Sequence, residues 1–228
     1  MTTRRERLRA ATYEEIKTAA LAQITAVGGS SLSLRGVARE IGMSPAGLYR
    51  YYDGRDELLT DLITDAYNDL ATTVESAMDA GGDSMHDRFA EGMRAYRRWG
   101  LEFPNRFLLI FGTPIPGYEA PEAGSTVEGN RRMGEAFFAV GAEAWRRGQL
   151  SVPTSARTAT KGERDLAFEI DPQMPPQLVP VMLGTWAHFH GLVTLEVLGQ
   201  FQWLYGDRSD VLFESEIERL LAGIGLMI

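Results

Sequence analysis

The residues best suited to chemistry lie in one short segment, residues 33–55, where two helical patterns are separated by a glycine. Ser33 is a suitable N-cap for a helix that runs to Ile41, and Ser44 caps a second helix with proline at its first position. Gly42, between the two helices, tolerates the positive φ that a tight turn needs. This arrangement predicts a helix-turn-helix.

The second helix of this motif would expose a face of polar and aromatic residues. Ala38 in the first helix is small enough to let the second helix cross closely above it, and apolar residues such as Val37 and Leu48 are placed to lock the two together. A helix held in this way is free to enter a major groove of DNA. The exposed positions are Ser44, Pro45, Ala46, Gly47, Tyr49, Arg50 and Tyr51.

Charge is distributed unevenly along the chain. Residues 1–55 contain nine basic and five acidic side chains, a net charge of +4, whereas the whole chain carries −8 and the remainder therefore carries −12. A basic head on an acidic body orients a protein toward a polyanion and keeps the body away from it. This distribution and the aromatic-basic run at 49–52 favour DNA binding over the alternative, a plain helical hairpin within a bundle.

Composition and motifs argue against several other classes. There is no cysteine, which excludes disulfides, thiolate metal sites and a cysteine nucleophile. No Gly-rich phosphate loop or nucleophile motif is present, and the histidines lack metal-ligand spacing, so we expect neither an enzyme nor a metal or other cofactor. No apolar run approaches the roughly 18 residues of a membrane span, and the polar N-terminus is unlike a secretory signal. We therefore expect a cytoplasmic protein without a membrane partner.

Helical periodicity continues through the whole chain, with no sustained alternating strand pattern. We predict an all-α protein of about nine helices, with a three-helix helix-turn-helix DNA-binding domain at 1–54 and a larger helical ligand-binding and dimerisation domain at 55–228. The predicted helices cover residues 4–27, stopped by Gly28 and Gly29, then 34–41, 45–52, 54–80, 83–103, 105–111, 127–147, 177–201 and 210–226. Between them, 112–126 reads as a loop and 151–176 as a long, partly irregular connection.

The predicted helix at 177–201 is apolar nearly all round. Such a helix must be buried on every side, here against its own core and against a second copy of the chain. The helix at 210–226 carries an apolar stripe as well, so two helices from each copy would form the interface of a homodimer. The predicted interface residues are Val193, Val197, Phe213, Ile217, Leu220 and Leu221.

Aromatic residues crowd the same body, and they are either ordinary core or the lining of an apolar cavity for a small, largely apolar effector. Trp186 and His190 are four residues apart and share a helix face, whereas His188 points elsewhere. A packed core or interface histidine is favoured over a metal ligand. The candidate ligand-binding residues are Trp99, Phe103, Phe107, Phe137, Trp145, Trp186, Phe189 and His190.

Residues 33–59 resemble the DNA-binding signature of the TetR family of one-component repressors. The positions that match the family pattern are Leu48, Tyr49, Tyr51, Tyr52, Arg55, Glu57, Leu58 and Leu59. The resemblance implies that phosphates are contacted by Arg35, Tyr49, Tyr51 and Arg55. It also implies that base edges are faced by Ser44, Pro45, Ala46, Gly47 and Arg50, with Ser33 in the same DNA-binding set.

The chain departs from the family pattern at Gly47, where threonine is frequent, and at Arg55, where lysine is frequent. Gly47 lacks a hydroxyl contact and costs about 0.8–1 kcal/mol of helix propensity relative to alanine. Among the base-facing positions, only Ser44 and Arg50 carry groups suited to reading bases, and arginine with guanine is the commonest such pair.

Residues 186–191 and 96–107 further resemble the Trp-His-Gly type of C-terminal domain found in a TetR subgroup. The function that follows from the resemblance is a ligand-responsive repressor. As a dimer, it would bind a palindromic double-stranded DNA operator, and a small-molecule effector would release it. The alternatives are a DNA-binding activator, a regulator without a small-molecule ligand, and an enzyme that kept a helix-turn-helix scaffold.

Overall fold

The computed structural model of the chain describes residues 3–27, 32–150 and 157–226. Within these ranges the chain forms helices joined by turns and contains no β-strand, so the predicted all-α class is confirmed. The helices are α1 (Arg4–Val27), α2 (Leu34–Glu40), α3 (Pro45–Leu48), α4 (Arg55–Ala80), α5 (Met85–Glu102), α6 (Pro104–Phe111), α7 (Ser125–Arg146), α8 (Lys161–Ile170), α9 (Leu178–Val197), α10 (Gln202–Tyr205) and α11 (Ser209–Gly223).

The first helices lie close to where the sequence predicts them. The bounds of α1 agree with the prediction, and its predicted stop at Gly28 and Gly29 falls outside the described residues. The third helix is shorter than predicted, because α3 ends at Leu48 and a turn continues to Tyr51. In that turn Arg50 N–H donates to the Gly47 carbonyl and Tyr51 N–H to the Leu48 carbonyl, which are the tighter i→i−3 bonds common at helix ends.

The C-terminal part departs from the prediction at two places. The sequence pattern predicts a helix to residue 201, but α9 ends at Val197 because Gly199 adopts a φ of +69°. The N–H of Gln200 then donates to the Leu195 carbonyl at 2.8 Å, which closes the helix end. The short helix α10 follows and is absent from the prediction.

The second departure is α8, which lies within the connection predicted to be partly irregular. Thr160 caps this helix, because its Oγ1 accepts from Glu163 N–H at 3.3 Å while the Glu163 carboxylate accepts from Thr160 N–H at 2.7 Å. This reciprocal pair is a capping box. The spacing Thr-x-x-Glu is readable in the sequence, and the prediction overlooks it.

The chain divides into two compact units, and α4 and α7 each contribute residues to both. The first unit comprises Met1–Asn68 and Phe103–Asn130, and the second comprises Asp69–Glu102 and Arg131–Ile228. The two units are defined by which residues pack together, whereas the predicted boundary at residue 54 separates DNA binding from effector binding and dimerisation. The functional boundary therefore stays a prediction.

The core of the first unit is built by α1, α2, α3 and the first turns of α4. Ile16, Val37, Leu48 and Leu58 are completely buried in it. Since each comes from a different helix, burying them fixes the helix-turn-helix against α1 and α4. Partly buried residues from the segment after α6, such as Tyr118, pack on the same core.

The core of the second unit lies between α5, α7, α9 and α11. Its buried side chains include Tyr96 and Phe137, and Phe189 of α9 packs against both rings. Phe213 of α11 is buried under the guanidinium of Arg97 of α5. Ion pairs add to this packing, as Arg97 of α5 donates to the Glu196 carboxylate of α9 at 2.5 Å and 2.7 Å.

Candidate nucleic-acid interface

The turn between α2 and α3 has the geometry predicted for a helix-turn-helix. Gly42 adopts a φ of +68°, and Met43 N–H donates to the Ala38 carbonyl at 2.8 Å. Ala38 is completely buried, so a larger side chain there would separate the two helices.

Serine residues cap both helices of the motif. Ser44 Oγ accepts from Gly47 N–H at 3.1 Å, with Pro45 at the first helical position, and Ser33 Oγ accepts from Gly36 N–H at 3.4 Å. Each serine oxygen is therefore used by its own helix. The Ser44 hydroxyl hydrogen is still able to donate to DNA, because a hydroxyl donates and accepts at once.

Most of the residues predicted to contact DNA lie on the surface. The exposed ones are Ser33, Arg35, Ser44, Pro45, Ala46, Tyr49 and Arg50, while Gly47, Tyr51 and Arg55 are half-buried. Within the described part of the chain, the side chains of Arg35 and Arg50 have no ion-pair or hydrogen-bond partner. Guanidinium groups in this condition are available for phosphates or base edges.

Arg55 is placed differently from the other predicted phosphate contacts. Its guanidinium lies 3.3 Å from the carboxylate of Asp56 and is 24% exposed. A neighbouring carboxylate competes with DNA for the guanidinium, so we expect Arg55 to contribute less than Arg35.

Tyrosines connect the end of the helix-turn-helix to α1 and α4. The rings of Tyr13 and Tyr51 meet edge to face, with centroids 5.1 Å apart. Tyr52 is buried and its hydroxyl donates to the Asp61 carboxylate at 2.5 Å. Burial and the nearby Asp61 carboxylate raise the pKa of Tyr52, so it stays a neutral donor.

The predicted ligand-binding residues belong to both units. Phe103 and Phe107 lie in the first unit, and the other six lie in the second. Within the second unit, Phe189 has Phe137 at 5.3 Å between ring centroids, and Trp186 stacks on His190 at 4.8 Å with an interplanar angle of 13°. The shared face predicted for Trp186 and His190 is thus present.

The remaining two predicted ligand-binding residues of the second unit lie elsewhere. The Trp99 indole N–H donates to the Asp69 carboxylate at 2.9 Å. Trp145 is half-buried near the end of α7 and makes no ring contact with any described residue.

Phe137, Trp186, Phe189 and His190 form an aromatic cluster in the second unit, and Tyr96 belongs to it although the sequence does not predict this. Its hydroxyl lies 2.7 Å from His190 Nδ1, and its ring meets Phe189 edge to face at 5.3 Å. Burial lowers the pKa of His190 and keeps the ring neutral. The sequence could have indicated this contact, since a buried tyrosine hydroxyl needs a polar partner and α9 contains few polar side chains besides its histidines.

The predicted dimer-interface residues mostly pack inside the single chain. Val193, Phe213, Ile217 and Leu221 are buried there, whereas Val197 and Leu220 are half-buried. The apolar residues that α9 leaves exposed are Leu183 and Leu195, followed by Leu198 just beyond its end. An interface formed by α9 would use these exposed residues rather than the buried Val193, and the predicted interface as a whole stays a prediction.

Membrane and metal signals are weak in the described residues. One helix, α9, is long and apolar enough to cross a membrane by length and composition alone, and core helices pass the same test. No group of three or more potential metal-ligating side chains is gathered in the parts of the chain described.

Comparison with known proteins matches both parts of the chain to one family. Residues 16–62 match bacterial regulatory proteins of the tetR family, and residues 89–220 match the tetracyclin repressor-like C-terminal domain. The HTH-type transcriptional regulator Rv1816 of Mycobacterium tuberculosis is 34% identical over 197 residues, which cover 86% of this chain and 84% of that protein.

Solved structures of bacterial regulators have the same fold as this chain. The regulatory protein SCO4313 superposes with a TM-score of 0.74 at 37% identity, covering 96% of this chain and 100% of that one. The TetR family regulator PfmR from Thermus thermophilus shares the fold, with a TM-score of 0.61 at 16% identity and 93% and 99% coverage.

The fold and the helix-turn-helix define a DNA-binding transcriptional regulator and not an enzyme. The chain belongs to the TetR family, in both its N-terminal and its C-terminal domain.

Proposed function

We propose that the protein is a dimeric cytoplasmic repressor that binds a palindromic DNA operator and is released by a small, largely apolar effector. Residues 1–54 would carry DNA binding, and residues 55–228 would carry effector binding and dimerisation. The observation that carries the proposal is the exposed face of α2 and α3, where Arg35 and Arg50 have no partner among the described residues.

The DNA contacts follow from that face. Helix α3 carries the small residues Ala46 and Gly47, which allow a close approach to base edges. Arg50, in the turn that follows α3, is the side chain able to form a bidentate pair with guanine. Arg35 and the two tyrosine hydroxyls at 49 and 51 suit phosphates, which fix the register of the helix on DNA.

Sequence selection from a random duplex pool, followed by a gel-shift assay on DNA flanking the gene, tests this proposal. We expect a palindromic site whose half-sites are one helical turn, about 34–36 Å, apart. Repression is then tested with a reporter under that site, with expression rising when the regulator is deleted. Binding that shows no sequence preference, or a reporter that falls on deletion, would contradict a repressor.

The proposed dimer interface is the exposed stripe of α9. Leu183, Leu195 and Leu198 lie on one face of the chain there, with the small residues Ala187 and Gly191 between them. Small residues let two helices approach closely, and an apolar stripe of this kind is stable in water only when a partner covers it.

Analytical ultracentrifugation of Leu195→Glu tests the interface. We expect monomers, and weak operator binding as a consequence, because one half-site alone binds weakly. The matched control is Phe168→Glu on α8, which also places a charge at an exposed apolar residue and should stay dimeric. A dimeric Leu195→Glu protein would place the interface elsewhere.

The proposed effector site is the aromatic cluster around Trp186 in the second unit. The Trp186 indole nitrogen is buried and has no hydrogen-bond partner among the described residues. An unsatisfied buried donor costs about 1–3 kcal/mol, which an acceptor atom on a bound molecule would recover. Aromatic side chains with a few polar groups among them suit an aromatic or apolar molecule that carries one acceptor.

Mass analysis of small molecules that copurify with the protein identifies the probe for this site. Trp186→Phe removes the donor and keeps an aromatic ring, so it should weaken binding of that molecule while DNA affinity stays near wild type. Trp203→Phe, at a tryptophan that is 83% exposed, is the control. Linkage requires that effector and DNA weaken each other by the same factor. An effector that leaves DNA affinity unchanged would contradict the release mechanism.

A further inference from the structure

The first unit contains a basic groove between the beginning of α1 and the end of the helix-turn-helix. Its volume is about 690 Å³, and its walls include Arg4, Arg5 and Arg9 from α1 and Gly47 and Arg50 from the motif. None of the residues that line it is acidic. Four guanidinium groups around one open groove create a positive potential that attracts a polyanion.

Two of the three α1 arginines in this groove are not used elsewhere in the described part of the chain. Arg4 and Arg5 have no side-chain partner there. The neighbouring carboxylate, Glu6, accepts from Thr3 N–H at 2.7 Å and so caps the start of α1. The acidic residue nearest in sequence is therefore engaged by the backbone, and the guanidinium groups stay available.

Arg9 is held in place by aromatic residues instead of by an acid. Its guanidinium donates to Tyr13 Oη at 3.2 Å and lies 5.6 Å and 5.9 Å from the ring centroids of Tyr13 and Tyr51. Stacked guanidinium groups keep their charge and lose less conformational entropy on binding a phosphate. Because Tyr51 follows α3, Arg9 also ties the groove to the helix-turn-helix.

Helical spacing places a further arginine of α1, Arg7, away from the three that line the groove. Arg4, Arg5 and Arg9 lie on one face of α1, at relative positions i, i+1 and i+5. Arg7 belongs to the same two turns and is exposed, but it does not line the groove. The chain therefore offers an internal control with the same residue type and the same charge.

Gly47 keeps the opposite wall open. A Cβ atom at this position would lie 3.0 Å from Met43 Cγ and 3.1 Å from Ser44 Oγ, and both Gly47 and Met43 line the groove. Glycine at such a point lets another backbone approach closely. Glycine in place of the threonine that is frequent in the family would therefore leave space for a DNA strand.

We propose that this groove binds the sugar-phosphate backbone of the DNA strand beside the major groove that α3 enters. Arg4 and Arg5 contact phosphates, and Arg9 is a positioning residue that also adds charge. The inference rests on the proposed DNA binding and extends the interface from α2 and α3 to the first two turns of α1.

Fluorescence anisotropy with Arg4→Ala, Arg5→Ala and Arg7→Ala tests the groove. The probes are a selected operator duplex and a random-sequence duplex of about 30 base pairs, titrated between about 50 and 200 mM salt. In the proposed dimer each substitution removes one phosphate contact from each subunit, so Arg4→Ala and Arg5→Ala should each reduce the slope of log Kd against log salt by about 2 and weaken both duplexes by the same factor. Arg7→Ala should change the slope by less than half as much.

The outcomes separate this inference from the proposed function. If Arg7→Ala matches the other two variants, general charge and not the groove is responsible, and the inference is wrong. It is equally wrong if Arg4→Ala and Arg5→Ala leave the slope unchanged while wild type binds the operator specifically. If wild type binds neither duplex, the proposed function fails first. Thermal melts equal to wild type are expected for all three variants, since these side chains have no partner within the described residues.

Discussion

Most arginines of the two units are used in different ways. In the first unit, six exposed arginines have no side-chain partner among the described residues; they are Arg4, Arg5, Arg7, Arg35, Arg39 and Arg50. In the second unit, nine arginines form ion pairs with carboxylates; they are Arg88, Arg94, Arg97, Arg131, Arg132, Arg146, Arg147, Arg157 and Arg219.

This difference separates arginines that are available to a ligand from arginines that hold the structure. A guanidinium already paired with a carboxylate must lose that partner before it contacts a phosphate, so the paired arginines are poor DNA ligands. The unpaired arginines of the first unit have no such competition. Net charge alone indicates which end of the chain is basic, but the pairing decides which charges are available.

The largest expected effect is on stability, at a paired arginine of the second unit. Arg97 and Glu196 are 16% and 8% exposed, and Arg97→Met leaves the buried carboxylate with the Ser209 hydroxyl but without its cationic partner. We expect a loss of about 3–5 kcal/mol in the free energy of unfolding, measured by urea denaturation.

The control for that prediction is Arg219→Met, which breaks the surface pair with Glu216. Arg219 is 58% exposed, and such pairs contribute below about 1 kcal/mol. Equal losses in the two variants would show that the ion pairs of the second unit do not differ with burial.

The next effect is on specificity, at an unpaired arginine of the first unit. Arg50→Ala removes the one long base-facing side chain of the helix-turn-helix, so specific binding should weaken by about 1–3 kcal/mol. Affinity for a random duplex should fall much less. A uniform loss on both duplexes in anisotropy titrations would make Arg50 a phosphate contact instead.

Glycine substitutions sharpen the comparison of the two units at the level of the backbone. Gly42→Ala in the first unit forces alanine to a φ of +68° and should cost about 1–2 kcal/mol, although its Cβ meets no atom within 4 Å. Gly134→Ala in α7 of the second unit has equal space at an ordinary helical φ. It should stabilise the protein by up to about 1 kcal/mol. Thermal melts of the same sign would contradict the argument.

The smallest expected effect is the pH dependence contributed by His190. Burial lowers the pKa of His190 from its ordinary value of 6.5, so below that pH the unfolded chain takes up the proton more readily than the folded one. The stabilisation is complete above this value and is lost as pH falls. His190→Gln should therefore show a shallower loss of melting temperature between about pH 7 and pH 5.5 than wild type. Parallel curves would contradict a buried neutral imidazole.

Much of the helix-turn-helix is predictable because its signals are local. Gly42, Ala38 and the serine caps each act within a few residues, and the structure places them as their spacing requires. The start of α8 is predictable for the same reason, from the Thr160 capping box, although the sequence analysis overlooks that signal.

The sites of the second unit are less predictable because they depend on packing between distant segments. Helix α9 is apolar nearly all round, so its sequence does not reveal that Val193 faces the chain's own core while Leu195 faces outward. Likewise, Tyr96 meets His190 across 94 positions of the sequence. The periodicity of a single helix cannot predict a contact between two helices that are so distant in the sequence.

The salt dependence of DNA binding tests the central claim most directly, through a matched pair of exposed arginines. Arg35→Ala removes an unpaired guanidinium of the first unit, and Arg219→Ala removes a paired one of the second. Since the proposed dimer loses one phosphate contact per subunit, Arg35→Ala should reduce the slope of log Kd against log salt by about 2 and weaken operator and random duplexes alike. Arg219→Ala should leave both unchanged. Equal slopes for the two variants, or a wild-type affinity that does not depend on salt, would contradict the account.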